Sequence, residues 1–308
     1  MTPEYLGVTT VMAAQALSGI AKDLNKMSAK SSVKLLVPDA EQGRLYRWIA
    51  LLTGSKNALK GAGFFLGAVL LSALGFRQAL LAMAGALLLV LAAGLVALQR
   101  DLGKAGFKPK FKHVFSNSRP VNYLSAARVF LFGARDIWFV VALPVYLQAS
   151  LGWQHTAVGA LMAVWIIGYG AVQSLAPLIT NRFSTPVPGR GALLSWGLPL
   201  ALVPAAMALA LAGGADPQLT LIAGLAAFAI LFALNSAIHS YLIIAYAKAD
   251  GVSLQVGFYY MSNAAGRLFG TLLSGLVYQY LGLGACLTVS AACIFVAAII
   301  ALKLPRTV

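Results

Sequence analysis

Long apolar runs separated by short polar segments constrain this chain more than any other feature. A helix needs about 20 mainly apolar residues to cross a bilayer core. We predict nine crossings, near residues 5–29, 50–74, 78–98, 121–147, 157–180, 192–212, 219–245, 256–280 and 283–302. The first is the most polar, and it is included because residues 11–20 are apolar and its charges recur at helical spacing. The sequence therefore predicts an all-α membrane protein.

Composition supports a lipid environment. Of the 308 residues, 60% are hydrophobic and 10% are charged, whereas soluble domains carry roughly 25% charged residues. Too few polar residues remain to cover a water-facing surface. The lipid bilayer is therefore one predicted partner.

The net charge of +15 would favour nucleic-acid binding in a soluble protein. Here the basic residues fall in alternate connections between crossings, which predicts that those connections are cytoplasmic. They are Lys30, Lys34, Arg44, Arg47, Lys56, Arg100, Lys104, Lys108, Lys110, Lys112, Arg119, Arg182, Arg190, Lys248, Lys303 and Arg306, against only Arg77 on the opposite side. The excess charge thus indicates topology and no nucleic-acid partner. We expect a multi-pass protein of the bacterial inner membrane with a cytoplasmic C-terminus.

The longest polar stretch, residues 99–120, is predicted to be a basic cytoplasmic linker. It would divide a partial N-terminal bundle of three helices (1–98) from a C-terminal bundle of six helices (121–308). Transporters of the major facilitator type join two halves of six helices through such a loop, and each half consists of paired three-helix repeats. On that template the chain is expected to lack the first three helices.

Ionisable residues fall inside the predicted crossings, where insertion scales assign each a cost of roughly 2.5 to 3.5 kcal/mol at the helix centre. They are Lys22, Asp23, Lys26, Lys60, Arg128, Arg135, Asp136 and Arg267. This cost predicts that they face a cavity or one another. Because basic residues outnumber acidic ones, the interior is expected to be positive and to favour a small anionic substrate.

The first crossing carries a polar stripe at helical spacing, made of Gln15, Ser18, Lys22, Asn25 and Lys26. Lys22 and Lys26 could bind a substrate anion, or they could reach the lipid headgroups while Asp23 pairs with Lys26. The same two alternatives stand for Lys60. The candidate site residues in these two crossings are Gln15, Lys22, Asp23, Lys26 and Lys60.

Arg128 and Arg135 lie two turns apart on nearly the same face of the fourth crossing. A guanidinium suits phosphate or carboxylate because its planar fork makes two parallel hydrogen bonds. Arg135 could alternatively form a purely structural pair with the adjacent Asp136. Asp136, and less readily Asp23, are candidates for a proton-coupling carboxylate.

The seventh and eighth crossings add further candidates. Asn235 could bind an oxyanion through neutral hydrogen bonds. His239 could relay protons, or it could serve as a hydrogen-bond partner between helices. Arg267 lies one turn after Asn263 and two turns after Tyr259 on a polar stripe.

Sequence motifs for enzymatic chemistry are missing. The chain has no G-x-x-x-x-G-K-[ST], G-x-S-x-G, H-E-x-x-H or Cys/His cluster. Cys286 and Cys293 lie within one apolar run and fit ordinary helix packing. We therefore expect no catalytic residues, no metal and no cofactor, and the protein is not expected to be an enzyme.

Three segments resemble one family closely: residues 13–32 (AAQALSGIAKDLNKMSAKSS), 52–65 (LTGSKNALKGAGFF) and 125–136 (SAARVFLFGARD). They are similar to the organoarsenical efflux permeases called ArsJ, a branch of the major facilitator superfamily. The resemblance implies export of 1-arseno-3-phosphoglycerate, which a glyceraldehyde-3-phosphate dehydrogenase forms from arsenate, and hence arsenate resistance. It implies a functional link to that dehydrogenase, but it supplies no residue roles.

The sequence also departs from this family's pattern. In full-length relatives, three helices and a basic loop motif precede residue 15. The loop of the second half that corresponds to this motif, residues 179–183 (ITNRF), is a degenerate version of it. Residues 61–67 lack the proline of the antiporter motif. Proton coupling is therefore an expectation only. Two alternatives stay open: a carrier for another organic phosphate, and a truncated fragment that does not transport.

Overall fold

The computed structural model describes residues 7–38, 40–97, 118–183, 187–248 and 251–306. Within these ranges the chain is helical and contains no strand. The helices are α1 (Val8–Leu36), α2 (Gln42–Ala97), α3 (Arg119–Phe139), α4 (Ala142–Ala149), α5 (His155–Phe183), α6 (Arg190–Ala212), α7 (Pro217–Tyr246) and α8 (Val252–Ala301). The predicted all-α fold class is confirmed.

Two helices are too long for a single crossing. At a rise of 1.5 Å per residue, the 56 residues of α2 would extend about 84 Å, far beyond a bilayer core of about 30 Å. A glycine with positive φ breaks each one, at Gly75 in α2 (φ 73°) and at Gly282 in α8 (φ 77°). Glycine suits these positions because it has no Cβ to clash in this conformation. Each long helix is therefore two consecutive helices, and each break falls between the two predicted crossings that the helix covers.

Six helical stretches of the described chain are long and apolar enough to cross a membrane. One of them, Arg119–Ala149, joins α3 and α4 across a short interruption at Val140 and Val141, where we predicted one uninterrupted crossing. Helix α1 is not among the six, so the first predicted crossing stays a prediction. The predicted linker lies largely outside the described residues, and its last two residues already belong to α3.

Among the described helices, α3 and α8 make the most extensive contact. A Cβ added at Gly266 would collide with the backbone of Val129, and one added at Gly270 would collide with the backbone of Gly133. Small residues permit this separation, as is typical of helix pairs in membranes. The contact fixes the part of α8 that carries Arg267 against the part of α3 that carries Arg135 and Asp136.

An apolar cluster joins the start of α2, the end of α7 and the start of α8, which are the ends predicted to be cytoplasmic. Tyr46 of α2 packs on Tyr241 of α7 with ring centroids 5.2 Å apart, and Tyr241 donates a hydrogen bond to Gln42 Oε1 at 3.0 Å. Nearby, Ser253 of α8 donates to Ser31 of α1 at 3.0 Å. These contacts hold α1 and α2 against α7 and α8 at one end of a central cavity.

Candidate binding cavity

A cavity of about 360 Å³ lies between α1, α2, α3, α5, α7 and α8. This volume is in the range of small-molecule sites. Its basic lining residues are Lys22, Lys26, Lys30, Lys56, Lys60, Arg128, Arg135 and Arg267. No Asp or Glu of the described chain lines it. The cavity wall is thus strongly positive.

Arg128 is buried in the wall, with 5% of its surface exposed. Its Nε donates to Asn263 Oδ1 and its Nη1 donates to Ser236 Oγ, each at 3.1 Å. The guanidinium carbon lies 3.7 Å from the ring centroid of Phe132 and 5.0 Å from that of Tyr259. Neutral groups therefore orient this guanidinium, and within the described residues it forms no ion pair.

Asp136 binds two guanidinium groups on its two oxygens. Arg135 donates its Nε to Oδ1 at 2.6 Å and places Nη2 at 2.5 Å from the same oxygen. Arg267 donates its Nε to Oδ2 at 2.9 Å. The Asp136 side chain is fully buried, whereas that of Arg267 is 47% exposed. The trio carries one net positive charge, and its two arginines line the cavity.

Two lysines of α1 face one aromatic ring. The ammonium of Lys30 lies 5.2 Å from the ring centroid of Tyr260, and that of Lys26 lies 5.9 Å from it. Lys26 also pairs with Asp23 at 2.6 Å. A cation over a tyrosine face is stabilised by the ring quadrupole, most strongly where water is excluded, and Lys30 is almost fully buried.

The sequence prediction missed Lys30 and Lys56 as cavity residues. It assigned both to cytoplasmic connections because basic residues beside apolar runs indicate topology. The structure extends α1 to Leu36, so Lys30 lies on a helix beyond the predicted crossing 5–29, and Lys56 lies on α2 within the predicted crossing 50–74. Their spacing from Lys26 and Lys60, one helical turn in each case, was the signal that could have identified them.

A chain of hydrogen bonds connects four helices in the cavity wall. Asn57 of α2 donates to Gln173 Oε1 of α5 at 2.6 Å. Gln173 donates its Nε2 to Ser236 Oγ of α7 at 3.3 Å, and Ser236 also accepts from Arg128 of α3. Through this chain, the position of Arg128 depends on contacts from α2, α5 and α7.

The remaining predicted site residues lie outside the cavity lining. Gln15 is exposed on α1. Asn235 is buried and donates its Nδ2 to the carbonyl oxygen of Leu193 at 3.0 Å, which joins α7 to α6. His239 is buried, and its Nδ1 has no hydrogen-bond partner among the described residues. Their roles in binding or proton coupling stay predictions.

Membrane-capable helices around a charged central cavity are the arrangement expected of a membrane transporter. The family model of the Major Facilitator Superfamily matches residues 124–308. The match spans more than half of the chain and nearly all of α3 to α8. The chain belongs to this superfamily of secondary transporters. A comparison with curated proteins finds no match. The cavity is accordingly the candidate site for a small-molecule substrate.

Proposed function

We propose that this protein exports a polyanionic organoarsenical, 1-arseno-3-phosphoglycerate, across the bacterial inner membrane. The observation that carries the proposal is the charge of the cavity, which has eight basic lining residues and no acidic one in the described chain. A neutral or cationic substrate would leave these charges uncompensated, whereas a polyanion neutralises several at once.

The chemistry of this substrate suits the cavity. It carries a phosphate ester at one end of its three carbons and an acyl arsenate at the other, and guanidinium forks bind such oxyanions through paired hydrogen bonds. Seven of the eight basic lining residues, all but Arg267, lie in the segments 13–32, 52–65 and 125–136 that resemble the organoarsenical permeases. The segments with the family likeness are therefore those that make the cavity positive.

The driving force follows from the charge of the cargo. An inside-negative membrane potential favours the exit of an anion by about 2.3 kcal/mol per net charge per 100 mV. Among the proton-coupling candidates, Asp136 is the best placed, because it is buried between two cavity arginines. Asp23 is 52% exposed in its pair with Lys26. A proton on Asp136 would release both arginines, so this carboxyl is the group through which proton binding would change the charge of the cavity.

Arsenate resistance in cells tests this function. Arsenate-sensitive bacteria that produce the permease with its dehydrogenase partner should gain resistance, and neither protein alone should give it. Arg135→Gln should abolish the gain at equal membrane level. Arg44→Gln is a matched control, because Arg44 pairs with Glu41 on the exposed surface and does not line the cavity.

Three outcomes would change the proposal. No gain with both proteins would reject the arsenical cargo and favour another organic phosphate. A gain without the dehydrogenase would reject the proposed substrate. Unchanged resistance in Arg135→Gln would remove Arg135 from the binding site.

A further inference from the structure

Lys30 and Arg128 are buried cations without a counter-charge in the described chain. Their exposed fractions are 4% and 5%. Each described acidic residue is engaged elsewhere: Asp23 with Lys26, Glu41 with Arg44, Asp136 with Arg135 and Arg267, and Asp216 with the backbone N–H of Leu219. A buried charge is costly unless it is paired. Two such charges in one cavity therefore indicate the position of an anion.

The two cations face the same region of the cavity. Lys30 lies over the ring of Tyr260, and Arg128 lies over the ring of Tyr259, with centroid distances of 5.2 and 5.0 Å. The two rings are neighbours, with centroids 6.0 Å apart. Adjacent rings on α8 thus bring an ammonium from α1 and a guanidinium from α3 to one side of the cavity.

Hydrogen-bond donors remain for a ligand there. A guanidinium has five N–H donors, and Arg128 uses two of them on Asn263 and Ser236. These two bonds orient the group without neutralising it. The ammonium of Lys30 adds further donors, and Ser240 is among the residues that line the same cavity. Together these groups suit a compact oxyanion with several acceptor oxygens.

The other cluster of arginines differs in charge. Arg135 and Arg267 already share the carboxylate of Asp136, so an incoming anion there must compete with it. Lys22, Lys56 and Lys60 also line the cavity without an ion pair in the described chain, but they are exposed or half-buried. The same cavity therefore contains one buried pair of cations without a counter-charge and a second pair that is partly compensated. An anion with two ends would place its more highly charged end at the first pair.

We propose that Lys30 and Arg128 form the principal subsite, which binds a compact tetrahedral dianion of the phosphate class, and that Arg135 and Arg267 form a weaker second subsite for the other anionic end. This inference rests on the proposed function only in taking the cavity as the substrate site. It states which of the two subsites binds more strongly and which kind of group each subsite accepts. Inorganic phosphate should occupy the first subsite alone, and 3-phosphoglycerate should occupy both.

Binding to the purified full chain in detergent tests the proposal with these two probes. Affinity is measured by calorimetry, and the rise in Tm with ligand is measured for each variant against its own baseline. Lys30→Gln and Arg128→Gln should each weaken phosphate binding about ten-fold or more, the loss expected for one charge-assisted contact. Arg267→Gln should leave phosphate affinity within about two-fold and should weaken 3-phosphoglycerate several-fold.

Three comparisons control for folding and for general charge. Lys30→Gln should raise the Tm of the unliganded protein, because it removes a buried uncompensated charge, while it reduces the shift with phosphate. Arg128→Lys keeps the charge without the fork and should bind phosphate better than Arg128→Gln. Lys303→Gln, which removes an ammonium over Tyr123 outside the cavity, should bind both probes as the native protein does.

The outcomes separate this inference from the proposed function. If Arg267→Gln weakens phosphate as much as Arg128→Gln, the cavity is one undivided site and the inference is wrong. Phosphate binding that survives both Lys30→Gln and Arg128→Gln also overturns it, even if cells still gain arsenate resistance. If the variants behave as expected while cells gain no resistance, the subsite stands and the arsenical cargo is rejected.

Discussion

Arg267 of α8 donates its Nε to Asp136 Oδ2 of α3 across 2.9 Å, between Gly266 and Gly270, two glycines at which α8 lies against the backbone of α3. A Cβ added at Gly270 would lie 3.1 Å from Asp136 Cβ and would collide with the backbone of Gly133. The missing side chain at Gly270 is therefore part of what brings the ion pair together. A change in packing at this glycine should reach the charges of the cavity.

Gly270→Ala should destabilise the protein by about 1 to 3 kcal/mol, because neither backbone can move away without separating α3 from α8. Gly275→Ala is the control on the same helix, since nothing lies within 4 Å of its Cβ position. Thermal unfolding in detergent should show a lower Tm for Gly270→Ala only. Equal Tm values for the two variants would show that the close contact does not stabilise the fold.

Asp136→Asn should lower stability by about 3 kcal/mol or somewhat less, because it leaves two guanidiniums without their shared carboxylate while Arg267 keeps access to water. Added 3-phosphoglycerate should restore part of the loss. Asp23→Asn breaks an exposed pair and should cost less than about 1 kcal/mol. Thermal unfolding with and without ligand measures both variants, and equal losses would contradict a buried structural role for Asp136.

Ser31 and Ser253 offer a direct test of the contacts that join α1 to α8. Their hydroxyls are 3.0 Å apart, so the variant Ser31→Cys/Ser253→Cys, with Cys286 and Cys293 replaced by Ser, should form a disulfide under mild oxidation. Because a carrier must separate its two parts at each end in turn, the cross-link should stop transport and a reductant should restore it. The single variants under the same oxidant are the controls. Full transport by the cross-linked protein would show that this contact persists through the cycle.

The sequence predicts the helices of this fold well because apolar runs of spanning length have few alternatives in a membrane protein. The breaks at Gly75 and Gly282 lie where the predicted crossings meet. The interruption at Val140 and Val141 could not be predicted, because both residues are apolar and β-branched and fit an uninterrupted run. Local composition carries no signal for this interruption, after which the backbone N–H of Ala142 donates to Ser274 Oγ of α8.

The sequence predicts the positive charge of the cavity but only some of the residues that line it. The net positive charge inside the crossings indicates an anionic substrate. The direction in which each side chain points, however, depends on the helices around it. Asn235 and Ser236 are adjacent on α7, yet Asn235 bonds to α6 while Ser236 bonds to Arg128. Neighbouring residues on a helix point about 100° apart, and only the packing of α7 decides which one lines the cavity.

Uptake into everted membrane vesicles measures the proposed export most directly. The vesicles contain the full chain, and the dehydrogenase, glyceraldehyde 3-phosphate, NAD and radiolabelled arsenate are supplied outside. Label should accumulate inside only with the complete mixture, should increase with an inside-positive potential, and should be lost in vesicles carrying Arg128→Gln. Label that enters without the dehydrogenase, or equally in vesicles lacking the chain, would contradict the account.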